Sequence, residues 1–93
     1  MRTIERSTAF KRDYKRESKS KYCAVLDVLL KEVLVALATD QPLATHYRDH
    51  QLGGNWASYR ECHIKPDLLL IYRKLETNTL QLVRLGSHGE LFG

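Results

Sequence analysis

The stretch that most restricts this chain is Leu68-Leu69-Leu70-Ile71-Tyr72. A strand with one wet face alternates apolar and polar residues. This one does not, so it reads as a central strand covered on both sides. A chain of 93 residues has room for one core, and its other elements must build the two covers. Pro66-Asp67 opens the strand as a turn and Glu76-Thr77-Asn78 closes it as another. Trp56 to Ile64 alternates ahead of it, with Tyr59, Glu61 and His63 on one face and Trp56, Ser58, Arg60, Cys62 and Ile64 on the other. Leu80 to Leu85 supplies a strand behind it.

Upstream, Arg2 to Arg6 reads as a short strand. Ser7 or Thr8 caps a helix with Phe10 and Tyr14 on one face and Lys11, Lys15 and Lys19 outside. After a break at Lys19-Ser20-Lys21, a second helix is expected over Tyr22 to Ala38, ended by Asp40-Gln41-Pro42. Its core stripe is Tyr22, Val25, Leu26, Leu29, Val33, Leu34 and Leu37. Residues 43–55 read as a long loop, and Ser87-His88-Gly89-Glu90 has the spacing of a capping box. The expected class is α+β, one domain over residues 1–93, with an N-terminal strand and two helices packed on one face of an antiparallel meander.

An apolar fraction of 43% excludes a disordered chain. No apolar run approaches the ~20 residues that span a bilayer, and the N-terminus lacks the apolar centre of an export signal. A cytoplasmic protein with reduced thiols at Cys23 and Cys62 is the expectation. Charge is uneven. Residues 1–21 carry eight Lys and Arg against three acids, a net +5 that leaves residues 22–93 at −1 of the chain's +4. Such a block suits a polyanion or an acidic partner, and a solvated helix face is the plainer alternative.

The meander collects polar residues at sheet ends: His50 from the loop, His63 and Asp67 around one turn, Arg84 and His88 at the close. Antiparallel pairing returns Arg84 and His88 towards Asp67. Imidazole titrates near pH ~6.5, so two histidines can take a proton from a ribose 2′-hydroxyl and give one to a departing 5′-oxygen. Arg84 can hold phosphorane oxygens, and Asp67 can orient a histidine. Tyr59 and Phe92 can stack a base. This chemistry needs no metal and no cofactor. His46 and His50 stand four apart but lack the glutamate of a zinc-protease helix, and no cysteine has zinc-finger spacing. Each residue also has a duller reading: His63 as a surface strand residue, Asp67 as a turn former, Arg84 paired with Glu61 or Glu76.

The segment GGNWASYRECHIKPDLLLIYR, followed by LVRLGSHGELFG, resembles the YafQ branch of the RelE superfamily of bacterial toxins. The matching features are a Trp ahead of Tyr-Arg-acid-x-His, then x-Pro-Asp, an apolar run ending in Tyr, and the Arg-x-Gly-x-His-x-x-Leu-Phe-Gly terminus. The resemblance implies a ribosome-dependent, metal-independent mRNA endoribonuclease restrained by a cognate antitoxin. It places His50, His63, Asp67 and His88 in the acid–base set, with Arg84 and Phe92 contributing to the site. Our own expectation is His50 or His63 as base, helped by Asp67, His88 as acid, Arg84 on the phosphate, and Phe92, Glu61 and Tyr59 against substrate. Lys11, Arg12, Lys15, Arg16 and Lys19 then dock on ribosomal RNA or on the antitoxin. Two alternatives stay open on the same scaffold: a gyrase-directed, ParE-type toxin and a module that only docks on RNA.

Overall fold

The structure, a computed structural model, describes residues 1–76 and 78–93. Its strands are β1 (Thr3–Arg6), β2 (His50–Gln51), β3 (Arg60–Lys65), β4 (Leu68–Leu75) and β5 (Thr79–Gly86); its helices are α1 (Thr8–Glu17), α2 (Leu26–Ala38) and α3 (His88–Phe92). The strands form one sheet in the order β1-β5-β4-β3-β2, antiparallel except where β1 runs parallel to β5. The apolar strand lies in the middle, as its composition requires. Leu68, Leu70 and Tyr72 enter the main core with Phe10, Leu26, Leu30, Val33 and Leu37 of the two long helices. Leu69 and Ile71 point the other way and are covered by Leu91 of α3, with Leu52, Trp56, Tyr59, Val83 and Phe92 around them. Full burial of each such side chain contributes about 1.5–3 kcal/mol.

Three expectations shift. The second helix starts at Leu26, four residues later than the spacing predicts, because Ser20 Oγ accepts the Tyr22 N–H (3.1 Å) and holds residues 20–25 in turns. Its buried stripe is therefore Leu26, Leu30, Val33, Leu37 and Ala38, while Val25 is 41% exposed. The long loop contains β2 and two short 3-10 turns, Thr45–Tyr47 and Gly54–Trp56. Gly54 takes φ +60°, a left-handed turn that delays β3 to Arg60. Trp56 consequently packs edge-on against Tyr59, with ring centroids 5.3 Å apart, instead of facing away from it. Of the turn expected at Glu76-Thr77-Asn78, Thr77 lies outside the described residues.

Capping matches expectation at both predicted sites. Ser7 accepts from the Phe10 N–H, and Ser87 with Glu90 forms the full capping box of α3. Cys23 and Cys62 are both free, and burial pushes the Cys62 thiol up. Among the described residues no helix is long and apolar enough to cross a membrane.

Candidate active site

The face of the sheet opposite α1 and α2 holds the polar set. Asp49 starts the assembly: it accepts from Arg60 Nη2 (3.1 Å) and from the Tyr72 hydroxyl, which pins the loop against the sheet. His50 is thereby laid beside Glu61 as β2, in antiparallel register with β3. The Glu61 carboxylate is almost fully buried and stands 3.5 Å from His50 Nε2 and 3.3 Å from His63 Nε2, through the same oxygen. Each ring's other nitrogen faces a backbone carbonyl: His50 Nδ1 lies 2.7 Å from Arg48 O, and His63 Nδ1 lies 3.3 Å from Pro66 O. Both Nε2 atoms are turned towards the Glu61 carboxylate. The ring centroids are 6.2 Å apart.

The second part of the site comes from the return of β5. Leu69 pairs with Gly86, which brings α3 over the β3–β4 turn. There the Asp67 carboxylate accepts the backbone N–H of His88 (3.2 Å). Asp67 therefore holds His88 in place by its main chain, and the carboxylate that orients His63 is Glu61. The sequence reading has Asp67 orient a histidine ring and Glu61 touch substrate; in the structure it is Glu61 that stands beside both the His50 and His63 rings. His88 and Phe92 share one side of α3, centroids 5.0 Å apart, and Phe92 meets Trp56 edge-on at 5.9 Å. Tyr59 continues this aromatic line, with Arg73 stacked over its ring at 5.0 Å. Trp56, a residue of the family motif that the sequence reading does not place in the site, thus joins it through Phe92 and Tyr59.

Arg84 sits where β5 bulges, Val83 being the extra residue between the pairs Ile71–Arg84 and Tyr72–Leu82. Its partner is neither Glu61 nor Glu76 but Asp13 of α1, which it engages through Nε (2.6 Å) and Nη2 (3.1 Å). Asp13 also accepts from Leu85 N, filling the edge of β5 beyond the end of β1. Burial pushes the Asp13 carboxyl up, but Arg84, the Leu85 N–H and Arg16 together outweigh it and hold it below its ordinary value. Phe10, Asp13 and Glu17 are all buried on one face of α1. An acid at that apolar spacing was the available signal for this anchor.

Arg16, expected among the docking cations, is otherwise engaged. It binds Asp13, Glu17 and Glu90 at 2.9 Å each and donates to Leu85 O at 2.8 Å. Lys11, Arg12, Lys15 and Lys19 remain exposed, with no ion pair among the described residues. Between α1, α2 and β1 lies a mostly apolar groove of about 600 Å3, walled by Ile4, Phe10, Leu34 and Val35 and edged by Lys11 and Lys31.

The donor set His50, Glu61 and His63 places one nitrogen or oxygen from each residue within 4.8 Å of the others. Two imidazoles whose Nδ1 atoms face backbone carbonyls, with one carboxylate, suit a zinc- or copper-like cation with open positions. His46, four residues before His50, is outside this set.

The family model described as the bacterial toxin of type II toxin–antitoxin systems, YafQ, matches residues 2–93. The mRNA interferase toxin YafQ of Escherichia coli K12 is 36% identical over 97 residues, covering 99% of this chain and 97% of that protein. Among solved structures, a metal-bound toxin from Helicobacter pylori is 50% identical with a TM-score of 0.83, covering 99% of this chain and all of that one. The YafQ chain of the E. coli DinJ–YafQ complex is 35% identical with a TM-score of 0.80, both chains being covered in full.

Proposed function

Because the chain belongs to the YafQ family of toxins of bacterial type II toxin–antitoxin systems, we propose that it is an mRNA interferase that cuts by 2′-hydroxyl attack on the ribosome. The observation that supports this most is the buried Glu61 carboxylate shared by two histidine Nε2 atoms, with a third histidine held nearby by Asp67. The Glu61-bridged pair takes the proton of the 2′-hydroxyl as the 2′-oxygen bonds to phosphorus. His88 gives a proton to the 5′-oxygen as the P–O5′ bond breaks. The products are a 2′,3′-cyclic phosphate and a 5′-hydroxyl. Each positioned group contributes roughly 10²–10⁴-fold. Asp13 occupies the Nε and Nη2 edge of Arg84, so Nη1 is left for the phosphorane oxygens. Phe92 offers a ring beside His88 for the neighbouring base.

His50, Glu61 and His63 would also hold a divalent cation, which when bound supplies Lewis-acid stabilisation of phosphate charge. Lys11, Arg12, Lys15 and Lys19 face ribosomal RNA in the cytoplasm, a sequence-independent phosphate surface. The apolar groove with its lysine edges suits an acidic amphipathic antitoxin segment that folds as it binds. The family's complex with the DinJ antitoxin supports such a partner.

The test is 5′-end mapping of a reporter mRNA in a cell-free translation extract, with the unaltered protein and with His88→Ala. Cuts inside reading-frame codons, lost in the variant and lost without ribosomes, are the expected result. Absence of cuts with the unaltered protein, together with inhibition of gyrase supercoiling, would replace this reading with the ParE-type one.

A further inference from the structure

A cleft of about 460 Å3 opens between the 45–48 turn and the β3–β4 turn, and His46, Arg48, His63 and Lys65 wall it. Among the described residues no Asp or Glu lines it. The side chains of Arg48 and Lys65 enter no ion pair or hydrogen bond there. The carboxylates close to it are committed elsewhere, Asp49 to Arg60 and Tyr72, Glu61 to His50 and His63, Asp67 to the His88 N–H and Glu32 to Tyr47. Arg48 stands at φ +50°, ψ +45°, left-handed backbone where asparagine or glycine is the ordinary choice. A charged residue kept on strained backbone at the lip of a cleft is a recurrent feature of ligand clamps. The remaining wall is apolar, from Leu29, Tyr47 and Ile64, which strengthens any charge pairing inside.

We infer that this cleft binds a phosphodiester of the substrate strand, adjacent to the one being cut. The inference rests on the ribonuclease reading above and names a second part of the strand that the protein holds. Two observations tie the cleft to the reaction. His63 is at once its wall and one of the Glu61-bridged pair. The Arg48 carbonyl lies 2.7 Å from His50 Nδ1, and Arg48 is itself one of the residues walling the cleft. A phosphate seated between Arg48 and Lys65 therefore fixes the strand relative to both histidines. Arginine and lysine supply the two modes of phosphate recognition, a planar fork and a point charge.

The test uses a fluorescent, non-cleavable 2′-O-methyl oligoribonucleotide and fluorescence anisotropy over a salt series. Arg48→Asn removes the cation and tolerates left-handed backbone; Lys65→Gln removes the other and keeps the strand. The double variant should bind about tenfold more weakly, and the slope of log K against log salt should fall by roughly 1.4, about 0.7 for each lost single-strand contact. Lys11→Gln with Lys15→Gln, on the far helix, should leave that slope closer to the unaltered value. An unchanged slope in the Arg48/Lys65 variant would overturn the inference. So would an equal loss in the Lys11/Lys15 variant, or no binding by the unaltered protein at low salt. Circular dichroism melts exclude misfolding as the cause. Cleavage is scored separately, so a protein that binds through the cleft but cuts no mRNA overturns the ribonuclease reading and not the cleft.

Discussion

Replacing Asp13 by asparagine tests whether a buried carboxylate on α1 holds the end of β5. In the structure that carboxylate accepts four hydrogen bonds, from Arg84 Nε (2.6 Å), Arg84 Nη2 (3.1 Å), Arg16 Nη1 (2.9 Å) and Leu85 N (3.0 Å). Asparagine keeps one acceptor oxygen and turns an NH2 towards donors, so about two of the four are lost. Hydrogen bonds to charged groups contribute about 1.5–3 kcal/mol each. Arg16 and Arg84 keep 41% and 29% of their side-chain exposure and can partly rehydrate, so a loss near the lower end, about 3 kcal/mol in all, is expected. For a domain of this size that is about 12–24 °C in Tm.

The pH dependence follows from the same contacts. Burial raises the Asp13 carboxyl, but Arg84, the Leu85 N–H and Arg16 lower it further, so its folded value lies below its unfolded one. The stabilisation is therefore complete above the unfolded value, about 3.9, and disappears as pH falls through the folded value. Thermal unfolding of the two proteins from pH 7 to pH 3 should show a constant gap down to about pH 5 that closes in acid. A gap of less than about 3 °C at neutral pH, or one of equal size at pH 3, would refute the assignment.

Alanine at Gly86 places a Cβ 2.7 Å from Arg16 Nη2 and 3.1 Å from Glu90 Oε1; urea unfolding should register a loss of about 1–3 kcal/mol, and no change would mean that Arg16 is free to move. Ser87→Ala removes half of the α3 capping box, for about 1 kcal/mol, and should speed hydrogen exchange at the Leu91 and Gly93 amides before it affects β4. Zinc or copper titrated into the protein should perturb the imidazole NMR signals of His50 and His63 ahead of those of His46 and His88, and Glu61→Gln should weaken the effect at least tenfold, in line with loss of a ligand.

What the sequence determined by itself is local or statistical in origin. An unbroken apolar run can only be a central strand, so Leu68 to Tyr72 placed β4 and, through the meander, brought Arg84 and His88 back towards Asp67. Ser7 and the Ser87/Glu90 pair marked helix starts, because capping acts over three residues. The histidines were legible from their residue type and from the YafQ-like spacing around them. Pairings between residues distant in sequence were decided only by tertiary structure. A propensity cannot tell that residues 50–51 will find Glu61, since two residues make a strand only when an edge is offered to them. Nor can it tell that Arg84 will reach across 71 positions to Asp13, or that Arg16 will leave the docking face for Asp13, Glu17 and Glu90. Charge patterns along a helix show which side chains are ionised. Which of them meet is fixed by the packing of α1 against the free edge of β5, where an unpaired Leu85 N–H needed a buried acceptor.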